Sequence, residues 1–345
     1  MKKLITTLVI LALLLGLVPA VVYAATSDVA AAGKGGNTAP TVTAVALVES
    51  GSDTAVTAMT PLTTYRVKVT AGDLNTIDDI QVIEFHIYYS SDGTNWDADA
   101  LGIFKWTKAG NVWSMENGSA TTTWEVVGAS CISPSIYTTT SGDWYLAFKP
   151  GKLAQADAVA NWHASAKAYD ENKNGSGSGG SASMGAYAEI SLDAASVTFG
   201  DATAGIEPGQ TGYITVPATN YNNAKVTTNK QYALGVKSSA TWSDGGSKTI
   251  TLAGGTGVPA GSSQFNLTVD NELKGGGSPG EPKTLQGVTS TDATIAGLGN
   301  VSRIATNANT SESTGNTPMY MGLSFAVSGI QEVTYSGTIT FTVTN

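Results

Sequence analysis

The stretch Asp170-Glu171-Asn172-Lys173-Asn174-Gly175 puts oxygen-bearing side chains at alternate positions ahead of a glycine. Calcium loops open in this way, because a hard cation needs several oxygens delivered by a tight turn. The twelfth position is Ser181, not a bidentate glutamate, so this is no EF-hand. A second acidic group, Asp73, Asp78 and Asp79, follows a strand-like run. In a sheet protein whose two loops close the same end, these residues would share one calcium. The expected ligand set is Asp73, Asp78, Asp79, Asp170, Asn172 and Asn174, and calcium is the expected cofactor. The competing reading is an ordinary Asx-Gly turn beside a solvated acidic loop. A further cluster, Asp92, Asp97 and Asp99, is expected at the opposite end.

Catalytic material is otherwise sparse. The two histidines, His86 and His163, both fall in strand-like runs. His86 alternates out of phase with Ile83, Phe85 and Ile87, which predicts a solvated side chain. No metal-binding His or Cys spacing, phosphate loop or nucleophile elbow occurs. Glycoside hydrolysis needs only two facing carboxylates, but nothing in the spacing selects a pair. The chain is therefore read as no enzyme, and no catalytic residue is assigned. The single cysteine, Cys131, excludes an intramolecular disulfide and reads as a small buried apolar residue.

Six of the seven tryptophans lie between Trp96 and Trp162, and only Trp242 lies beyond. Such a set could stack on sugars, but alternation turns several toward a core, where a large aromatic stabilises by burial. Trp96, in an acidic turn-rich stretch, is expected to be the exposed one. Glycosylation sequons at Asn117, Asn174, Asn266, Asn300 and Asn309 would mark exposed loops if used.

Location is written at the start of the chain. Lys2 and Lys3 precede an apolar run from Leu4 to Leu17, and Val22-Tyr23-Ala24 supplies a small-x-Ala cleavage site. This order is that of a cleavable secretory signal, and the run is shorter than the about 20 residues of a membrane span. No second apolar stretch is long enough to span, so an extracellular or cell-surface location is expected. Removing residues 1–24 takes away two lysines and no acid, moving the formal charge from −9 to −11. That balance disfavours nucleic acid and anionic lipid as partners.

The elements that must position these groups read as strands. Period-two alternation marks Val42–Val48, Tyr65–Thr70 and Ile83–Tyr89, and shorter runs recur to Tyr169, separated by turn signals. Only Lys152–Val159 suggests a helical turn. The glycine- and serine-rich residues 170–180 read as a hairpin loop, returning Ala186–Leu192 onto Trp162–Tyr169. The second half has its own rhythm of strands, from Ser196–Gly200 to Tyr335–Val343. Residues 270–318 form a long low-apolar segment that is functional, partly disordered or hides short strands. The expected organisation is a signal peptide at 1–24, a flexible leader at 25–39, and two antiparallel β-sandwiches at 40–189 and 190–345.

Several of these stretches resemble immunoglobulin-like β-sandwich domains of prokaryotic, including archaeal, secreted cell-surface and filament proteins. They include Pro40-Thr41-Val42, Thr63–Thr70 leading to Asp73, Asp79–Tyr89, Ala166–Gly175, Ile190–Gly209 and Tyr335–Thr344. The resemblance implies an all-β architecture of two tandem Ig-like domains and a surface location. It implies no ligand and no catalytic residue. The leading functional expectation is a subunit of an extracellular filament, sheath or surface layer, assembling through β-strand edges. Its partners would be copies of itself, or other cell-surface proteins and glycans. In that scheme the leader and Thr41–Val48 would add to a neighbour's sheet edge, unless Thr41–Val48 is simply the first strand of its own domain. The alternatives are a carbohydrate-binding or adhesive module and, less favoured, a secreted hydrolase.

Overall fold

The computed structural model describes residues 36–91, 100–116, 122–276, 279–302 and 315–345. The signal sequence, most of the leader, Trp96 and the Asp92, Asp97, Asp99 cluster lie outside the described residues. Among those described, secondary structure is almost wholly β, with short 3-10 turns at Ile77–Asp79 and Gly128–Ser130 and no α-helix. Residues 38–345 form one compact unit.

The first half contributes β1 (Thr41–Glu49), β2 (Ala58–Met59), β3 (Tyr65–Gly72), β4 (Val82–Tyr89), β5 (Ala100–Thr107), β6 (Val112–Met115), β7 (Glu125–Val126), β8 (Ser141–Lys149), β9 (Asp157–Tyr169) and β10 (Asn174–Met184). They form a four-stranded sheet in the order β1-β3-β8-β7 and a six-stranded sheet in the order β2-β10-β9-β4-β5-β6. Alternation dictates which faces meet. Tyr65, Val67, Val69 and Ala71 on β3 are buried, while Arg66, Lys68 and Thr70 between them stay half-exposed. The buried faces enclose one aromatic-rich cluster, in which Trp106 meets Trp144 edge-on at 5.5 Å and Trp124 stacks on Phe148 at 6.4 Å. Burying each such side chain stabilises by about 1.5–3 kcal/mol.

The glycine-serine stretch is a strand, not the predicted loop. Only Asp170–Lys173 turn, and β10 then pairs antiparallel along the whole of β9. Its glycines answer to packing. Gly175, Gly177 and Gly179 share one face, and a Cβ built on them would lie 2.0, 3.0 and 2.3 Å from the carbonyl oxygens of Pro40, Val42 and Val45. The main chain of β1 lies directly on that face, an approach that only glycine permits. At Gly180, φ is +70° and the register shifts, so the bulge keeps β10 following β1. Ser176 and Ser178 point to the exposed side. Lys152–Val159 forms no helical turn either: Asp157 already begins β9. Between residues 122 and 127, only Glu125 and Val126 pair, with Lys149 and Phe148 on β8.

The second half contributes β11 (Ala188–Leu192), β12 (Thr198–Phe199), β13 (Thr211–Val216), β14 (Asn222–Thr228), β15 (Ala233–Ser238), β16 (Thr241–Ser243), β17 (Thr249–Leu252), β18 (Gln264–Asp270), β19 (Gln286–Gly287), β20 (Ala293–Thr294), β21 (Gly315–Phe325) and β22 (Ile339–Thr344). A large sheet follows the path β11-β14-β21-β18-β17-β16, with β12, β13 and β19 attached, and faces a small sheet ordered β20-β15-β22. Their inner faces meet in a second cluster, where Ile214, Leu267 and Met319 from one sheet pack with Leu234 and Phe341 from the other. Here β11 pairs with β14, not with β9 as the sequence suggested. The sequence reading also missed β14, because NNAKVTT begins with two turn-favouring asparagines. The described part of 270–318 does contain short strands, β19 and β20.

Candidate functional site

One pole of the first half gathers the predicted calcium residues. Thr41 pairs with Gly72 on β3, and Pro40 lies against Gly175 on β10, so the Asp73–Asp79 and Asp170–Asn174 loops both flank the entry to β1. Asp73 is buried. Its Oδ1 accepts from the Asn75 amide at 2.8 Å and the Thr38 hydroxyl at 3.2 Å, while Oδ2 has no hydrogen-bond partner. Thr38 is thereby held at this pole, where its hydroxyl also meets Asn75 Oδ1 at 2.7 Å. Asp78 is engaged by Lys108 at 2.7 Å. Asp79 is half-buried at the end of its 3-10 turn. Asp170 Oδ1 accepts from the amides of Asn172 and Lys173 at 2.7 and 2.6 Å, an Asx-type turn. Asn172 and Asn174 are exposed. Among the described residues, no three His, Cys, Asp or Glu side chains are placed to share a metal ion.

Other expectations fare differently. His86 is buried at 3% exposure, not solvated. Its strand lies inside the six-stranded sheet, with Ile103 and Ser165 directly across on β5 and β9. Alternation assigns a face, but it does not say whether that face is covered. His163 Nε2 donates to the Ser90 carbonyl, 3.1 Å away, and its ring stacks on Tyr88. Trp106, Trp144 and Trp162 are fully buried, Trp124 and Trp242 nearly so, and Trp113 packs half-buried on the first cluster. Five of the six are turned into the cores, and Trp113 keeps part of its surface exposed. Cys131 is partly buried against the Val127 and Ala147 backbone, and burial pushes its thiol pKa up. The sequon at Asn266 is not an exposed loop: the residue is buried on β18, bonded to Gly255 N and Gly257 O.

A polar junction links the two halves, and sequence reading gave no signal of it. Asn229, fully buried, donates to the carbonyls of Ala154 at 2.7 Å and Gly185 at 2.9 Å and accepts from Tyr187 N at 2.7 Å. Beside it Lys152 bonds both Glu189 oxygens at 2.8 and 2.9 Å, and Tyr187 donates to Glu189 at 2.7 Å. Burial pushes the Glu189 carboxyl up, but the Lys152 ammonium and the Tyr187 and Thr227 hydroxyls outweigh it and hold the pKa below the ordinary range.

The remaining chemistry is that of sheet edges. The strands β2, β7, β16 and β20, which end sheets, are two or three residues long. The outer side of β1 lies on the glycine face of β10, and its other side pairs with β3 from Thr41 to Glu49. The element expected to reach a neighbour is thus the first strand of its own sheet. Among the described residues, β6, β11 and β22 are longer sheet ends, and β10 is covered by β2 only at Ser183 and Met184. Of these, β11 and β22 lie side by side, and Asn345 ties their ends by donating to Tyr187 O at 3.0 Å. Ile190, Ile339 and Val343 on that flank are only partly buried, and Leu192 is 36% exposed.

No family model matches the chain, and no curated protein does. Among solved structures, a chain from a study of the CFA/I fimbrial chaperone–tip adhesin complex aligns over 90% of this chain and 91% of that one. The identity is 10% and the TM-score 0.24, too loose a likeness to carry any argument about this protein.

Proposed function

We propose that this chain is an exported cell-surface structural protein, built as two tandem immunoglobulin-like sandwiches, and that copies assemble through strand edges into a filament, sheath or surface layer. The observation that carries this reading is the flank of β11 and β22. It combines unpaired main chain with half-covered apolar side chains. Such an edge is a template for another strand, and proteins that remain monomeric blunt it. The signal-like start of the sequence supports export. No helix among the described residues is long and apolar enough to cross a membrane.

The test is negative-stain electron microscopy of the chain recovered from the medium of an exporting host. Ordered filaments, tubes or lattices are expected. Isolated particles at every concentration, with or without calcium, would sink the self-assembly reading.

A further inference from the structure

We infer that Asp73 and Asp170 bind one calcium ion between the two sheets of the first half, a narrower site than the six ligands expected from sequence. The two acids arrive from opposite sheets. Asp73 follows β3 and keeps the phase of Tyr65, Val67, Val69 and Ala71, all of them buried. It is only 3% exposed, so its carboxyl turns inward with them. Asp170 follows β9 and keeps the phase of Ala164, Ala166 and Ala168, which are also buried, and is itself 8% exposed. The four-stranded sheet holds β3 and the six-stranded sheet holds β9. The start of β1 brings their ends level: Thr41 pairs with Gly72, and Pro40 O lies against Gly175, which pairs with Ala168.

Asp73 Oδ2 is the atom that points to a ligand. It is buried and has no hydrogen-bond partner among the described residues. A buried carboxylate oxygen left without a partner is costly, and a second carboxylate turned into the same interior adds repulsion. A cation between the two reverses both effects. Both groups are already oriented through Oδ1. That atom of Asp73 accepts from Asn75 N and the Thr38 hydroxyl, and that of Asp170 from the amides of Asn172 and Lys173. Asp78 is excluded as a ligand because Lys108 engages it at 2.7 Å, and Asn172 and Asn174 because their side chains are exposed. Calcium suits such loops, since it takes about six to eight oxygens in flexible geometry and accepts carbonyls and water to complete the set. With only two charged ligands the affinity belongs at the weak end, a Kd of about 0.1–1 mM.

The experiment titrates calcium chloride into the exported chain at constant ionic strength, with magnesium chloride in parallel, and reads amide NMR shifts and thermal unfolding. Saturable shifts are expected at Thr38, Asn75, Asn172 and Lys173. At about 10 mM calcium the folding equilibrium constant should rise by at least about tenfold. Asp73→Asn keeps Oδ1 and its two donors but removes the charge, so it should weaken binding by about tenfold or more while the circular dichroism stays that of the parent. Asp78→Asn should leave the affinity within about twofold of the parent. Absence of saturable shifts in the parent below about 10 mM calcium would overturn the inference, whatever the variants do. Equal losses in Asp73→Asn and Asp78→Asn would also overturn it, since they would mean diffuse attraction by surface acids. So would shifts confined to residues away from this pole, or equal affinity for magnesium. If Asp73→Asn does not fold, Asp170→Asn takes its place, with the same loss expected.

Discussion

Asn229 illustrates how much one buried amide can decide. From the second half, its side chain satisfies the carbonyls of Ala154 and Gly185 and the N–H of Tyr187, all of which precede β11. Asn229→Ala removes the side-chain partner of all three, at a cost of about 1–3 kcal/mol for each group left buried and unsatisfied. Urea unfolding followed by circular dichroism should register that loss. Glu189 makes a pH-dependent contribution at the same place. Its pKa is lower in the folded protein than in the unfolded chain, so its stabilisation is complete above the ordinary glutamate value of about 4.3 and fades as pH falls through the folded value. Stability should therefore drop below about pH 4. In Glu189→Gln the midpoint at pH 7 should be lower and the acid limb shallower. A residual slope is expected, because Tyr89 and the amides of Val159 and Asn161 also hold Asp157 below its usual range.

At the scale of the element, β10 shows a strand selected by its neighbour and not by its own propensity. Four glycines within six residues argue against a strand on conformational entropy alone. The pairing with β9 and the close passage of β1 offset that cost. Adding a single methyl at Gly179 would place it 2.3 Å from Val45 O, so β1 or β10 must move. Gly179→Ala should destabilise by about 1–3 kcal/mol, the usual cost of overpacking. Ser178→Ala, on the exposed side of the same strand, should stay within about 0.5 kcal/mol. Comparable losses in the two variants in urea titrations would refute the close-packing account.

For the whole molecule, two hydrophobic clusters lie within one compact unit. The polar junction joins them: the first cluster extends to Met184, and Gly185, Tyr187 and Glu189 follow at once. Because Asn229 and Glu189 bind both sides, the clusters should unfold together in a single calorimetric transition. Asn229→Ala should separate it into two, each belonging to one cluster. Two resolved transitions in the parent chain would mean that the junction transmits little energy.

The sequence by itself determined the strand-rich class and most strand positions, because side-chain alternation is a local property that burial on one face imposes residue by residue. In the fold the Asp73 and Asp170 loops both lie beside Pro40 and Thr41. Partner choice was not local. That Asn174–Met184 is a strand, that Ala188–Leu192 joins Asn222–Thr228, and that His86 is buried each depend on which segment arrives from a distance. Glycine carries no alternation signal, and asparagine looks the same in a solvated turn and in a buried joint. That β11 and β22 end their sheets next to one another is likewise a property that exists only once the tertiary structure has formed.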